Sequence, residues 1–417
     1  MHRIATIQHH SKEHRISFWQ TYSPTLFFIV VLLAGMSFSL QSTATTIISA
    51  QSGNWTSTAT WNPPQVPTLS DSVTITGGHT IVVNDMTTHH VASLTIRTNA
   101  ILEHAANDTV ESKKLILHVA GNLIIEQGGR INANGRGYKK NAPLWVPNDY
   151  AGGSYGGQGG NGTKNLTYGS PVAPTNIGAN GGSDYWYSQG GGAIIITVDG
   201  NTTNNGLVSA NGENRGYSGG AGGSVYLTTA TLSGTGTIQA NGGATNNYGC
   251  GGGGRIAVIL TAGNNFGNVK FQAYGGYTAT GKKGGAGTVY LQTAAQGPGK
   301  GTLIIDNNDY ATLAGAETVV PSGTTWGTNL FATLILTNNG IIGIWTGATF
   351  DVNGLTVTDD PSGAGEGFRL WGGTFKTTLL YAFAHRLWIA SASIFTPNTL
   401  IVQSNGILQL EVPCSLG

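Results

Sequence analysis

The sequence predicts an all-β chain, a parallel β-solenoid, on three observations. Short apolar or alternating runs separated by turn residues cover it from end to end, and no segment sustains a helical period. Glycine fills 65 of its 417 positions, and a glycine inside a helix costs about 1 kcal/mol relative to alanine. Equivalent runs return at fixed steps, the mark of units that bury their apolar faces by stacking on their neighbours. Antiparallel hairpins with Asn-Gly turns would also be all-β. They do not account for a constant step. Parallel stacking does, because equivalent residues then lie above one another over one continuous core.

Residues 1–44 read as a secretory signal: a polar leader with Arg3, Lys12 and Arg15, an apolar run from Leu26 to Leu40, then Ser42 and Ala44 as small residues at a cleavage site. The run of 15 residues is shorter than the roughly 20 that span a bilayer, so a membrane enters only through an uncleaved anchor. Residues 45–130 read as a cap and the first coils. GNWTSTATWNPPQVP, with Trp55, Trp61 and three prolines, is the lid over the first coil. SVTI at Ser72, SLTI at Ser93 and the KLIL containing Leu115 then follow at steps of 21 residues. Each is paired with a second strand, HTIVV, NAILEH or NLIIEQ, so two strands are expected per coil.

In residues 131–314 the unit lengthens. GGGAIIIT, GAGGSVYLT and GGGGRIAVIL align on Ala193, Ser224 and Arg255 at steps of 31, and Thr288 follows after 33. A second motif recurs inside each unit: RINANG, LVSANG, TIQANG and KFQAYG. The glycine run before Arg255 leads into the strand IAVIL without the lysine and hydroxyl of a phosphate loop, so it reads as a turn of positive-φ glycines and no nucleotide is expected. A long glycine- and aromatic-rich loop insertion spans 139–189. From 315 to 417 further coils are expected. There Ile344-Trp345, Leu370-Trp371 and Leu387-Trp388 lead to Phe350, Phe375 and Phe395, and the tryptophans read as core filling in preference to a ligand platform.

Charged residues make up 9% of the chain and the formal net charge is +1, far from the roughly 25% charged residues of an ordinary domain. No polyanion partner is implied, which excludes nucleic acid binding. Cys250 and Cys414 would lie several coils apart in a stacked fold, too far for a disulfide. No cofactor motif, metal motif or calcium repeat is present, and none of these groups is expected.

Two sets of residues carry chemistry. Tyr138, Tyr217, Tyr248 and Tyr277 each follow an Asn-Gly or equivalent turn, and the insertion holds Trp145, Tyr185, Trp186 and Tyr187. Rigid aromatic faces with one polar edge suit sugar rings; the same tyrosines stacked on one another would simply shield the turns. Glu103 and Glu126 end comparable strands, with Asp85 one coil earlier. Stacked in one groove, these acids would approach the roughly 5 Å separation of a retaining glycosidase pair, share a proton or hold a cation. His79, His89, His90, His104 and His118 lie in the same zone.

The opening GNWTSTATW and VPTLSDSVTITGGHTIVV resembles the head of secreted bacterial β-helix proteins and is similar to the opening of the eight-glycine domain of extracellular proteins. The units GGSVYLTTATLSGTGTIQANGG and GGGGRIAV look like glycine-rich repeats of large bacterial surface proteins. The resemblance covers roughly residues 53–85 and 120–295. It implies an extracellular, right-handed parallel β-helix associated with adhesion or polysaccharide, and transfers no catalytic residue. The expected function is that of a secreted, non-enzymatic surface protein binding glycan or matrix. A polysaccharide lyase or glycoside hydrolase on the same fold, and a passive spacer, are the alternatives.

Overall fold

The structure, a computed structural model, describes residues 44–140, 142, 150–161, 166–182, 187–246, 248–279, 282–312, 316–359, 365–378, 380–390, 392–403 and 405–410. The signal segment, Trp145, Tyr185, Trp186 and Cys414 lie outside the described residues.

The chain is all-β with several parallel sheets. From Ser72 to Leu260 it visits three of them in cyclic order, and after Leu260 it passes to the second and third sheets without another first-sheet strand. The first sheet stacks Ser72–Ile75, Ser93–Ile96, Leu123–Ile125, Thr202–Asn204 and Leu232–Ser233. The second stacks Thr80–Val83, Ile101–His104, Arg130–Asn132, Leu207–Ser209, Thr237–Gln239 and Lys270–Gln272. The third stacks His89–Val91, Leu115–Val119, Ala193–Val198, Ser224–Thr229, Arg255–Leu260 and Thr288–Gln292. Alternate residues point inward along the early strands, and Val73, Ile75, Ile81, Val83, Leu94 and Ile96 join one core.

Each repeat from Ser72 to Leu260 thus contributes three strands, not the expected two. The strand hidden from the sequence is His89–Val91, whose HHV carries little apolar signal. Its omission misplaced the third step. Leu115 does not continue the series of Ser72 and Ser93; it lies in the third sheet opposite Ile194, and Leu94 is paired instead with Leu123. The longer step holds: Ala193 stands opposite Ser224, Ser224 opposite Arg255 and Arg255 opposite Thr288. At the start, Thr46–Ser49 pairs with Ser72–Ile75 on one side and with Trp61–Asn62 on the other. Trp55 and Trp61 pack edge to face at 5.2 Å, and the Trp61 indole N–H donates to the Trp55 carbonyl at 2.8 Å.

The glycine-rich corners differ from the expectation in kind. None of Gly251–Gly254 has positive φ. They are buried among other glycine-rich segments, and residues 151–160 of the insertion are buried with them. Gly252 N–H donates to Gly153 O, Gly222 N–H to Gly252 O, Gly253 N–H to Gly285 O and Gly285 N–H to Gln158 O, all at 2.8–2.9 Å. A Cβ on Gly252 would collide with the Gly157 carbonyl, and one on Gly254 with that of Gly223. Glycine is required here because backbone meets backbone, not because a turn needs a left-handed residue. The insertion is therefore partly a packing layer: the ring of Tyr155 is fully buried, its hydroxyl 2.7 Å from Ser224 Oγ, and Arg255 Nε donates to Tyr168 O at 2.9 Å.

A second set of strands begins at Thr302, earlier than residue 315. Thr302–Asp306 pairs antiparallel with Thr288–Gln292, so strand direction in the third sheet reverses there. Parallel pairing then resumes, Thr302–Asp306 with Thr333–Thr337 and on to Thr356–Asp359. Phe350, Phe375 and Phe395 enter a second core with Phe331 and Phe368. Trp326 is part of this core and Trp388 is buried beside Arg369, whereas Trp345 and Trp371 are half-buried and do not fill it. Trp345 stands opposite Trp371, but Trp388 stands opposite Arg369. Trp345 and Trp371 lie on the face away from Ile344 and Leu370, and their indole N–H groups donate to the buried Glu317 carboxylate at 3.3 and 3.2 Å.

Candidate functional site

The recurring Ala-Asn-Gly motif builds a surface cleft. It falls just after successive second-sheet strands. Its alanines, Ala133, Ala210, Ala240 and Ala273, point into the core, which turns the following residue outward. Those following residues are Asn134, Asn211, Asn241 and Tyr274, and they form a ladder. Asn134 Oδ1 accepts the Asn211 N–H at 2.7 Å, Asn211 Oδ1 the Asn241 N–H at 2.7 Å, and Asn241 Oδ1 the Tyr274 N–H at 2.8 Å. Each amide thus satisfies a backbone donor that the end of a strand would otherwise leave unpaired.

The cleft along this ladder has a volume of about 580 Å³. At one end stand Arg136, Gln189 and Glu213, and the charges of Arg136 and Glu213 are engaged locally. Arg136 Nη2 donates to Glu103 Oε1 at 2.7 Å, while Glu213 accepts from Gln189 N at 2.9 Å and from Arg215 Nε at 3.2 Å. At the other end are Tyr274, Tyr277 and Tyr310, with the rings of Tyr277 and Tyr310 at 4.8 Å and Lys283 Nζ 5.3 Å from the Tyr277 ring. Burial, reinforced by Asp306 and Tyr310, pushes the Tyr274 hydroxyl up to about 12, so it stays a neutral donor. A cleft of this make-up offers amides and hydroxyls along its length and an aromatic face at one end.

The four repeated tyrosines separate. Tyr277 lines the cleft and is 46% exposed. Tyr217 stacks on Tyr248 at 5.7 Å, and Tyr248 meets Tyr150 at 4.4 Å, making an exposed row on the turns that also supply Glu213 and Ala244. Tyr138 is buried with Ile177 and Ala179. Tyr187 lies between Lys139 and Arg215, each within 5.6 Å of its ring centre.

The three acids are not brought together. Glu103 lies in the second sheet, opposite Val82 and Asn132. Glu126 follows the first-sheet strand; it accepts the Thr98 N–H at 3.1 Å and bonds Arg97 Nη1 at 2.6 Å, and the Thr98 contact first, then Arg97, holds its carboxyl below the usual range. Asp85 accepts from Thr87 and stands 3.1 Å from His89 Nε2. The expected shared groove depended on a two-strand coil. With three strands per repeat, residues 23 positions apart fall in different sheets. The residues missed were Glu213, Gln189, Tyr274 and Tyr310. Tyr274 was visible as the departure from Asn in KFQAYG, whereas Tyr310 comes from a turn after the strand reversal and only folding brings it alongside.

Compared with known proteins, the chain matches no family model, no curated protein and no solved structure.

Proposed function

We propose that this chain is a right-handed parallel β-helix exported to the cell exterior, where the ladder cleft binds a short segment of polysaccharide without cleaving it. Three sheets visited in cyclic order by parallel strands support the helix, and parallel crossovers are right-handed in about 98% of cases. The apolar run at Leu26–Leu40 supports export. Among the described residues no helix is long and apolar enough to cross a membrane.

The observation that carries the binding reading is the continuous row of Asn134, Asn211, Asn241 and Tyr274, flanked by Tyr277 and Tyr310. With strands about 4.8 Å apart, the row is about 14 Å long, suited to an oligosaccharide in extended form. Amides can exchange both donor and acceptor roles with sugar hydroxyls, and the tyrosine faces suit the C–H face of a pyranose. Arg136 and Glu213, the charged residues that line the cleft, are already paired, which favours neutral sugars.

The test is a glycan panel probed with the wild-type chain and with Tyr277→Ala/Tyr310→Ala. Binding should weaken at least tenfold in the variant, with no reducing ends released by either protein. Release of reducing ends would refute the non-catalytic reading. Equal binding by the two proteins would move the ligand away from this cleft, and no binding at all would favour a passive spacer.

A further inference from the structure

We propose that His90 and His118 form a two-histidine site for a divalent transition metal ion of the Cu²⁺, Ni²⁺ or Zn²⁺ class, oriented by Asp199. The two residues are exact neighbours across the third sheet: His90 on His89–Val91 stands opposite His118 on Leu115–Val119. Parallel strands place both on the outward face, since Val91 and Leu117 point inward. Their Nδ1 atoms are 3.2 Å apart and their rings are nearly perpendicular, at 81°.

Asp199, just beyond the next strand of the sheet, puts Oδ2 2.9 Å from His118 Nε2. A carboxylate has no proton to give, so His118 must donate from Nε2, and its Nδ1 then carries the lone pair. That lone pair is turned toward His90. In the metal-free pair a neutral His90 completes the contact by donating its Nδ1 proton. Both rings are partly exposed, so water replaces this hydrogen bond readily.

Coordination uses the same spacing. Two nitrogens held about 2.05 Å from a tetrahedral ion stand about 3.3 Å apart, and in square-planar coordination about 2.9 Å. The observed 3.2 Å lies between these. On binding, the His90 proton moves to Nε2 and both rings ligate as neutral imidazoles. The Asp199 contact is the outer-shell carboxylate that ligating histidines commonly use. Among the described residues no group of three or more ligating side chains surrounds a single point. The remaining positions are therefore open to water or to an oxygen donor from a second molecule.

The experiment titrates Cu²⁺ into the full chain at pH 7.5, followed by electron paramagnetic resonance. Wild type is compared with His90→Gln, His118→Gln and Asp199→Asn, each checked for an unchanged thermal midpoint. The wild type should bind one more equivalent than either histidine variant, with hyperfine structure from two imidazole nitrogens. Asp199→Asn should keep that stoichiometry with affinity 10- to 100-fold weaker. All other histidines of the chain are common to these proteins and cancel. Equal stoichiometry and identical spectra for wild type and both histidine variants would overturn the site, and unaltered affinity in Asp199→Asn would overturn the role of the carboxylate.

Discussion

Acidification should destabilise this protein through His104. The residue ends the strand Ile101–His104 with its ring fully buried, in the space that a side chain at Gly192 would need. Nδ1 donates to Ala105 O at 2.9 Å and Nε2 accepts the Ala193 N–H at 3.1 Å. Both nitrogens are thus satisfied only by the neutral ring. A proton on Nε2 would face an N–H donor in a site without solvent. Burial first, and then the nearby charges of Arg136, Lys113 and Lys114, bring the imidazole down from 6.5 to about 4.

Above pH 6.5 the ring is neutral in both folded and unfolded chains, and its full contribution is present. Below 6.5 the unfolded chain takes up a proton that the folded chain refuses until about pH 4, so stability falls across that window and levels off beneath it. At about 1.4 kcal/mol per pH unit the loss amounts to roughly 3 kcal/mol. The assay is urea unfolding of wild type and His104→Gln at pH 7.5, 5.5 and 4. The glutamine carbonyl can accept the Ala193 N–H and does not titrate. Between pH 7.5 and 4 the wild type should lose about 3 kcal/mol more than the variant, and about 1.4 kcal/mol more by pH 5.5. Parallel profiles would refute the reasoning.

Two further substitutions probe the packing. Gly252→Ala places a methyl group against the carbonyl of Gly157, where only backbone could yield, and should destabilise by about 3 kcal/mol or more. Gly216→Ala, with no atom within 4 Å of the added carbon and no positive φ, should be neutral or slightly stabilising; thermal melts of the pair decide whether close backbone approach is what holds the glycines. Glu317→Gln removes the carboxylate that lies 3.1 Å from Arg369 Nη1 and accepts from Trp345 and Trp371, leaving a nearly buried guanidinium without its counter-ion. It should lower stability by about 3–5 kcal/mol. A drop below about 1 kcal/mol in denaturant titration would mean that the cation–π contact of Arg369 with Trp388, at 4.4 Å, suffices for that charge.

The sequence by itself determined strand type and the 31-residue step. Alternation of period two is a local property, and a repeat in parallel strands keeps its register wherever the loops put it. It also contained the ladder, since Asn134, Asn211 and Asn241 stand at the same place in each motif. Tertiary structure decided the rest. It set three strands per repeat, because His89–Val91 is recognisable only from its neighbours on the sheet. It separated Glu103 from Glu126 and made a neighbour of His118 out of His90. It gave the glycines a purpose that no turn rule supplies, because the clash a Cβ would cause at Gly252 is with Gly157, brought there by a distant part of the chain. The cleft, too, exists only after folding: its amides recur with the step, but Tyr310 arrives from beyond the reversal at Thr302. Sequence periodicity reports what stacks upon itself; it carries no record of which separate segments come to lie side by side.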